Sequence, residues 1–376
     1  MRGHLRYRAG AWRLVVDAGP EPVTGRRRTV NRTFHAPNTK RGRQQAETEL
    51  AKLVAEVETG KAAPRSGLTV AQVIERYIVD RAPSWSPGQA DATRRRIAQH
   101  VTPHVGDVAV EKLRPIDVAH LHAKQRDAGL AESTISRVHG IVQAALAWAE
   151  GHELIARNPA ARRRPKAHRG EVSPPAPADV ARLIDAAPDD LALFLRLAAL
   201  TGARRGQLCA LQWRDVDAGA IRWRRALALI PGGGVAVKET KTGARYATAI
   251  DPATVELLDR QRQLAEERAR AVDVDLDDAA FVFARDPAGR QPWYPGSVTQ
   301  RFAALRDRLK LGHVRLHDLR HYMATQLLAE GLDVQTLAGR GGWADATTPL
   351  RVYAHFQPAR DVEAARRLAD RLDLEE

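Results

Sequence analysis

Residues 316–322, LHDLRHY, and residues 347–355, TTPLRVYAH, begin and end the stretch around which the rest of the chain is organised. The first segment predicts the start of a helix, on which His317 and Arg320 share one face because they are three residues apart. An imidazole and a guanidinium on one face can bind a single phosphate, and the imidazole can also move a proton. A phenol becomes a nucleophile when cations and an acid–base partner surround it. The pattern therefore predicts that Tyr353 attacks a phosphate held by Arg320 and His317.

Length and composition set the outer limits of the prediction. A chain of 376 residues with 44% hydrophobic content predicts two or three domains with real cores. The single cysteine, Cys209, excludes an intrachain disulfide and indicates a reducing compartment. The sequence contains no apolar run long enough for a membrane span, and the first residues lack the apolar core of a signal peptide. We therefore expect a soluble, cytoplasmic protein without a membrane partner.

The net charge of +14 is distributed unevenly along the chain. Residues 1–170 carry 30 Lys and Arg against 16 Asp and Glu, whereas residues 171–376 carry 29 of each. A basic front half joined to a balanced back half predicts a polyanion-binding part followed by a catalytic part. The alternative is a basic surface that serves only solubility, in a protein from a GC-rich genome.

The basic half divides into two predicted domains and a linker. Residues 1–63 read as a small α+β unit, a three-stranded sheet followed by a helix from about Arg43 to Glu58, which can lay an arginine-rich ribbon into a DNA groove. Residues 67–160 read as helices only, and residues 161–178 as a basic, proline-rich linker. In each region the alternative is that the basic residues are merely solvated. The candidate DNA-binding residues are Arg26, Arg27, Arg28, Arg32, Arg94, Arg95, Arg96, Arg162, Arg163, Arg164 and Lys166.

Residues 179–376 are predicted to form the larger, mainly helical domain. Three short strands, Ile221–Ala228, Gly234–Lys238 and Arg245–Ile250, interrupt the helices. The loop between the last two strands carries Lys241. Arg204 follows a glycine turn and precedes a new apolar run, a position from which its side chain can point into a cleft. A final helix is predicted from Pro358 to Leu372.

Four segments, TGARRGQLCALQW (201–213), ETKTGARYATAI (239–250), HDLRHYMAT (317–325) and TTPLRVYAH (347–355), resemble the boxes of the tyrosine recombinases, the phage-type integrase family. The resemblance covers about residues 68–376, and the front domain looks like the arm-site-binding unit of many integrases. It implies a multidomain fold: a small α+β front domain, an all-α core-binding domain, and a mainly α catalytic domain with a small antiparallel sheet.

The resemblance also implies a role for each candidate residue. Arg204 and Arg320 would neutralise the charge that grows on the scissile phosphate. Lys241 would protonate the leaving 5′-oxygen, and His317 would assist proton transfer or hold the phosphate. Tyr353 would form a 3′-phosphotyrosine bond, so that rejoining needs no ATP and no cofactor. The family further implies a homotetramer on double-stranded core and arm-type attachment sites in a bacterial nucleoid, with a directionality factor and a DNA-bending host protein as further partners.

Two positions depart from the family pattern. Trp343, ten residues before Tyr353, stands where the family commonly has a histidine, and an indole N–H can donate to phosphate but cannot shuttle protons. Gln207 stands where an acidic residue is usual three positions after the first arginine, so any support of a pKa by a carboxylate is lost. Both departures bear on the rate of the reaction more than on its type.

Other interpretations of the same residues remain open at this point. His313, His317 and His321 follow i, i+4 spacing, which suits a zinc-binding face, although no carboxylate or cysteine completes such a site. Tyr246 and Tyr322 are rival nucleophiles that do not match the terminal box. As functions, a type IB topoisomerase, a chromosome-dimer resolvase, a non-catalytic DNA-binding regulator and a zinc-dependent nuclease compete with the integrase hypothesis.

Overall fold

The computed structural model describes most of the chain, in two compact units that comprise residues 1–170 and residues 171–376. The described residues are 3–20, 27–59, 67–86, 88–162, 164–166, 174–217, 219–230, 233–239, 246–347, 349–350, 366 and 369–370. Four residues that the sequence predicts to be functional lie outside the described residues: Arg26, Arg163, Lys241 and Tyr353. Most of the predicted helix 358–372 also lies outside them.

The first unit begins with an antiparallel sheet and a helix. The strands are β1 (Gly3–Arg8), β2 (Ala11–Pro20) and β3 (Arg27–Phe34), paired in the order β1-β2-β3, and the helix is α1 (Lys40–Glu58). Because side chains alternate along a strand, Leu14 and Val16 share one face of β2 and are fully buried against Leu53 of α1. The predicted three strands and helix are present, with the helix beginning three residues earlier than Arg43.

The rest of the first unit is helical. Its helices are α2 (Val70–Arg81), α3 (Gln89–His100), α4 (Thr102–Val105), α5 (Pro115–Asp127) and α6 (Glu132–Gly151). The pattern Thr69 to Gln72 is typical of a capping box, and the box is formed: the Thr69 hydroxyl accepts from the Gln72 amide and the Gln72 side chain accepts from the Thr69 amide. Gly129 follows α5 with φ of 77°, the left-handed conformation that glycine adopts at a helix end. These helices enclose a separate apolar cluster that includes Ile74 and Leu146.

The second unit contains seven helices among its described residues. They are α7 (Pro177–Asp185), α8 (Asp189–Thr201), α9 (Arg205–Cys209), α10 (Pro252–Arg270), α11 (Pro295–Arg308), α12 (Asp318–Ala329) and α13 (Val334–Gly341). Helix α8 is apolar on nearly every side and lies in the centre of the core, with Phe194 completely buried. Its C-terminal end therefore has a fixed position within the unit, and the candidate site is built around that end.

Two small antiparallel sheets complete the second unit, where the sequence predicted one. The strands are β4 (Val216–Asp217), β5 (Ala220–Trp223), β6 (Arg225–Leu229), β7 (Val235–Glu239) and β8 (Tyr246–Ala249). They pair in the order β4-β5-β8 and, separately, as β6-β7.

The prediction of one continuous strand from Ile221 to Ala228 is wrong. The chain leaves one sheet after Trp223 and joins the other at Arg225. Arg224 and Arg225 both turn to the carboxylate of Asp215, at 3.6 and 2.5 Å, and Asp215 is only 2% exposed. A buried carboxylate needs positively charged or hydrogen-bonding partners. The contacts of Arg224 and Arg225 with Asp215 therefore interrupt a segment whose local pattern favours a single strand.

No helix in the described part of the chain is long and apolar enough to cross a membrane.

Candidate active site

The end of α8 places the first candidate arginine. The helix ends at Gly202, whose φ of 65° lies in the left-handed region that glycine adopts without strain. Ala203 is buried and Arg204, directly before the short helix α9, is exposed. The Arg204 amide donates to Oε1 of Gln207 at 3.0 Å, which fixes the start of α9. The turn thus fixes the backbone of Arg204 next to the buried Ala203, and the Arg204 side chain remains exposed.

The second arginine reaches the same turn from α12. Arg320 is only 3% exposed, and its Nη1 donates to the carbonyl oxygen of Gly202 at 2.6 Å. Its guanidinium lies over the indole of Trp343, 3.7 Å from the ring centroid, in a cation–π contact. The carbonyl at a helix C-terminus carries partial negative charge, which favours a cation there. Two arginines that are 116 positions apart in the sequence are therefore gathered at one helix end.

A side chain at position 202 would also have to displace Met323. A Cβ on Gly202 would lie 2.2 Å from Cε of Met323 and 3.5 Å from Cγ of Arg320. Because the end of the Met323 side chain can move aside, the left-handed φ is the stronger reason for glycine at this turn.

His317 caps the N-terminus of α12 rather than lying inside the helix, and its carbonyl accepts from the Arg320 amide at 3.1 Å. The next residue, Asp318, is buried and accepts from the backbone and guanidinium of Arg315, which fixes the first turn. Burial, followed by the charges of His321, Arg320 and Arg204, lowers the pKa of His317 to about 4. His317 is thus a neutral imidazole at pH 7, able to accept a proton.

Trp343 and Tyr246 are held by a glycine pair that ends α13. A Cβ on Gly341 would lie 2.0 Å from the Trp343 ring, and a Cβ on Gly342 would lie 2.2 Å from the Tyr246 ring. The Trp343 amide donates to the Ala338 carbonyl at 3.0 Å. Only glycine permits both aromatic rings to approach this turn so closely, and the turn presents the face of Trp343 to Arg320.

Tyr246, a rival nucleophile from the sequence, lies inside the site. Nε2 of Gln207 donates to its hydroxyl oxygen at 3.1 Å. Burial raises the pKa of Tyr246, although Gln207 and the two arginines act in the opposite direction. A phenol with a raised pKa is a poor nucleophile. The other rival, Tyr322, packs against the apolar core of the unit.

A cavity of about 430 Å³ is lined by Arg204, His317 and Arg320. Its floor is apolar, and the charged groups that line it are all cationic or basic, with no carboxylate among the lining residues. These groups are Arg204, Arg205, Arg315, His317 and Arg320. Such a cavity suits an anion that is presented from solvent.

Sequence reasoning brought together Arg204, Gln207, His317, Arg320 and Trp343, and it missed the contribution of Tyr246. Strand alternation contained a usable signal, because Tyr246 and Thr248 are two residues apart and share one face of β8. Thr248 is 1% exposed, and its hydroxyl donates to the Arg340 carbonyl at 3.0 Å. Lys241 and Tyr353 lie outside the described residues, so their places in the site stay predictions.

The histidine face does not gather as a metal site in the described part of the chain. His317 and His321 approach each other, with ring centroids 5.1 Å apart. His313 instead lies 3.5 Å from Asp179. No cluster of three potential His, Cys, Asp or Glu ligands occurs among the described residues.

Several candidate DNA-binding arginines of the first unit are in ion pairs. Arg27 pairs with Asp17, Arg28 with Glu153, and Arg32 with Glu56. Arg94 is bound by both oxygens of Glu75 and also by Asp91. The exposed basic residues without a carboxylate partner among the described residues are better placed to meet a phosphate backbone; they include Arg95, Arg162, Arg164 and Lys166.

Comparison with known proteins identifies the family of the chain. The phage integrase family model matches residues 176–360, and the model of the phage integrase central domain matches residues 70–166. Tyrosine recombinase XerC of Mycobacterium bovis (strain BCG / Pasteur 1173P2) is 32% identical over 247 residues, which are 62% of this chain and 76% of that protein. The ICEBs1 integrase of Bacillus subtilis (strain 168) is 23% identical over 370 residues, 96% of this chain and 98% of that protein.

Solved structures show the same fold. The Tn1549 transposon integrase in complex with a circular intermediate DNA matches with a TM-score of 0.67 and 18% identity, over 80% of this chain and 99% of that one. A lambda integrase tetramer bound to a Holliday junction matches with a TM-score of 0.59 and 19% identity, over 93% and 94% of the two chains. Fold and site define an enzyme of the tyrosine-type site-specific recombinase class. This chain belongs to the phage integrase family of tyrosine recombinases.

Proposed function

We propose that this recombinase cuts and rejoins DNA strands through a 3′-phosphotyrosine intermediate on Tyr353. The observation that carries the proposal is the gathering of Arg204, His317 and Arg320 around one cavity, whose described lining contains no carboxylate. A scissile phosphate bound there would place its non-bridging oxygens against two guanidinium groups. Those groups stabilise the extra negative charge of a pentavalent transition state.

The proton transfers follow from the groups available. The Tyr353 oxygen forms a bond to phosphorus, the bond from phosphorus to the 5′-oxygen breaks, and Lys241 supplies the proton to that leaving oxygen. His317, whose imidazole is neutral at pH 7, accepts the proton of the Tyr353 phenol. The phosphodiester energy is retained in the tyrosyl bond. Rejoining is the reverse reaction, with a 5′-hydroxyl as the nucleophile.

We assign the biological role to the integration of a phage or other mobile element. The ICEBs1 integrase aligns over nearly the full length of this chain, including its basic front region, whereas the XerC relative aligns over 62% of it. An integrase of Salmonella phage P22 is 26% identical over about half of the chain. By analogy, we infer a homotetramer on core and arm-type attachment sites, assisted by a directionality factor and a DNA-bending protein. Attachment-site DNA from the genomic neighbourhood distinguishes this role from chromosome-dimer resolution.

The decisive variant is Tyr353→Phe. On a nicked suicide substrate, which traps the covalent intermediate because the cleaved end diffuses away, wild-type protein should form a protein–DNA adduct and Tyr353→Phe should form none. Binding to the same DNA should remain, since only one hydroxyl is lost. Tyr294→Phe serves as the matched control and should form adduct at the wild-type rate. Unchanged recombination by Tyr353→Phe, or activity that a metal chelator abolishes, would exclude the proposal.

A further inference from the structure

The two arginines of the cavity need a partner that holds them together. Arg204, Arg320 and their neighbours place several positive charges around one volume, and none of the described residues that line it is a carboxylate. Like charges at short range repel, and a long side chain in a precise position costs conformational entropy. The Gly202 carbonyl and the Trp343 ring contact Arg320. The residue three positions after Arg204 is Gln207, and it leads to a further group that bears on the orientation of Arg320.

The hydrogen bonds of Gln207 lead directly to that group. One end of the amide, Oε1, accepts from the backbone of Arg204 at 3.0 Å. The other end, Nε2, donates to the Tyr246 hydroxyl at 3.1 Å. The Tyr246 ring lies against Gly342, the neighbour of Trp343, and the Trp343 indole in turn lies under the Arg320 guanidinium. Gln207 and Tyr246 therefore form a bridge that connects the backbone of Arg204 to the turn that presents Trp343 to Arg320.

The Tyr246 ring is itself firmly held. Gly342 leaves room for one edge of the ring, and the Trp223 ring lies 6.4 Å away at an angle of 33°. Two residues further along β8, the Thr248 hydroxyl accepts from the Trp223 indole N–H at 3.0 Å and donates to the Arg340 carbonyl at 3.0 Å. Arg340 in turn donates to the Leu200 carbonyl at 2.9 Å, near the end of α8. The hydroxyl is thus fixed relative to the turn that carries Arg204.

We propose that Tyr246 is a positioning residue, which together with Gln207 orients the Arg320 guanidinium for the scissile phosphate. The inference rests on the proposed function and deepens it. Since a phenol and an amide are neutral, the bridge orients the arginines without cancelling the positive charge that faces the DNA. Tyr246→Phe removes the hydroxyl and leaves charge and ring volume unchanged. It should therefore slow strand cleavage while leaving DNA affinity as it is.

The test is single-turnover adduct formation on the suicide substrate at saturating protein. Tyr246→Phe should be about 10- to 100-fold slower than wild type, which is less than the loss of a complete transition-state hydrogen bond, with unchanged DNA binding. Tyr294→Phe, the matched hydroxyl deletion in the same unit, should cleave at the wild-type rate. Gln207→Leu should slow cleavage similarly, and the double variant should be little slower than the slower single variant, because both changes break one bridge. Full additivity of the two effects would overturn the proposal.

A second substrate separates positioning from a merely structural role. A methylphosphonate at the scissile position has lost the negative charge that the arginines neutralise, so a residue that acts through Arg320 should matter less there. Tyr246→Phe should slow cleavage of the phosphate substrate and affect the methylphosphonate substrate by less than about 3-fold. Equal slowing on both substrates, or wild-type rates on the phosphate, would overturn the assignment of Tyr246. An absence of adduct with wild-type protein would instead contradict the proposed function.

Discussion

Gly202 ends α8 in the left-handed conformation and accepts the hydrogen bond of Arg320. In Gly202→Ala, an L-residue in this conformation costs about 1–2 kcal/mol, and the new methyl group would meet Met323. We expect a corresponding loss in the free energy of unfolding and a much slower cleavage step, because Arg320 loses its fixed acceptor position. Thermal unfolding and single-turnover cleavage measure the two effects.

Gly331→Ala is the matched control for that change. Gly331 also has a positive φ, 98°, but a Cβ there meets nothing within 4 Å. This variant should lose stability and retain the wild-type cleavage rate. If Gly202→Ala cleaves as fast as Gly331→Ala, the carbonyl of residue 202 does not position Arg320.

His317 should titrate well below an ordinary histidine in the DNA-free protein. Its pKa is lowered to about 4, against about 6.5 for a free imidazole. Between these two values the unfolded chain binds the proton more readily than the folded one, so this group makes stability fall as the pH drops from about 6.5 to about 4. Imidazole NMR, assigned with His317→Gln, measures the titration directly. A midpoint at or above 6.5 would mean that burial and the neighbouring arginines do not disfavour the charged imidazole.

The residues of the site divide into those that local chemistry reveals and those that the fold reveals. Arg204, His317 and Arg320 stand in recognisable boxes, and they do gather around one cavity. The contribution of Tyr246 depends on β8 lying beside the glycine pair that ends α13, a contact between positions about 95 residues apart. No local pattern contains that information. The sequence suggested Tyr246 only as a rival nucleophile, whereas its position and raised pKa suit a hydrogen-bonding role.

At the scale of elements, helices were predicted well because their signals are local. Periodicity and a terminal glycine predict helices over Ile116–Asp127 and Glu132–Glu150, and α5 and α6 begin and end within one residue of these bounds. The prediction of one strand over residues 221–228 was wrong because Arg224 and Arg225 form ion pairs with the buried Asp215, which lies outside the segment. A period-two pattern cannot reveal where a strand changes sheets.

The capping box at the start of α2 yields a prediction at this scale. Thr69→Ala removes the hydroxyl that accepts from the Gln72 amide at 3.3 Å, and should destabilise the helical part of the first unit by about 1 kcal/mol. Thr69→Ser retains the oxygen and should cost less. Because a chain with two units need not unfold in one step, amide hydrogen exchange in α2 is the appropriate measurement. Equal exchange in both variants would mean that the cap does not stabilise α2.

At the scale of the whole molecule, the surplus positive charge belongs to residues 1–170. DNA affinity should therefore fall steeply with salt, by a slope of about 0.9 for each phosphate neutralised. Arg95, exposed on α3, should account for about one unit of that slope, so Arg95→Gln should reduce it by nearly that amount. Arg268→Gln, which removes an exposed arginine from α10 in the charge-balanced unit, should leave the slope unchanged. Equal effects would mean that DNA binding does not depend on the basic half.

The central claim is that a phenolic oxygen of this chain replaces a deoxyribose oxygen on phosphorus. Mass spectrometry of the nucleotide-linked peptide, isolated by proteolysis of the trapped adduct, tests it most directly. In the trapped adduct, the nucleotide should be attached to Tyr353 and to no other residue. A nucleotide on Tyr246 or Tyr322, or recombination without any covalent adduct, would contradict it.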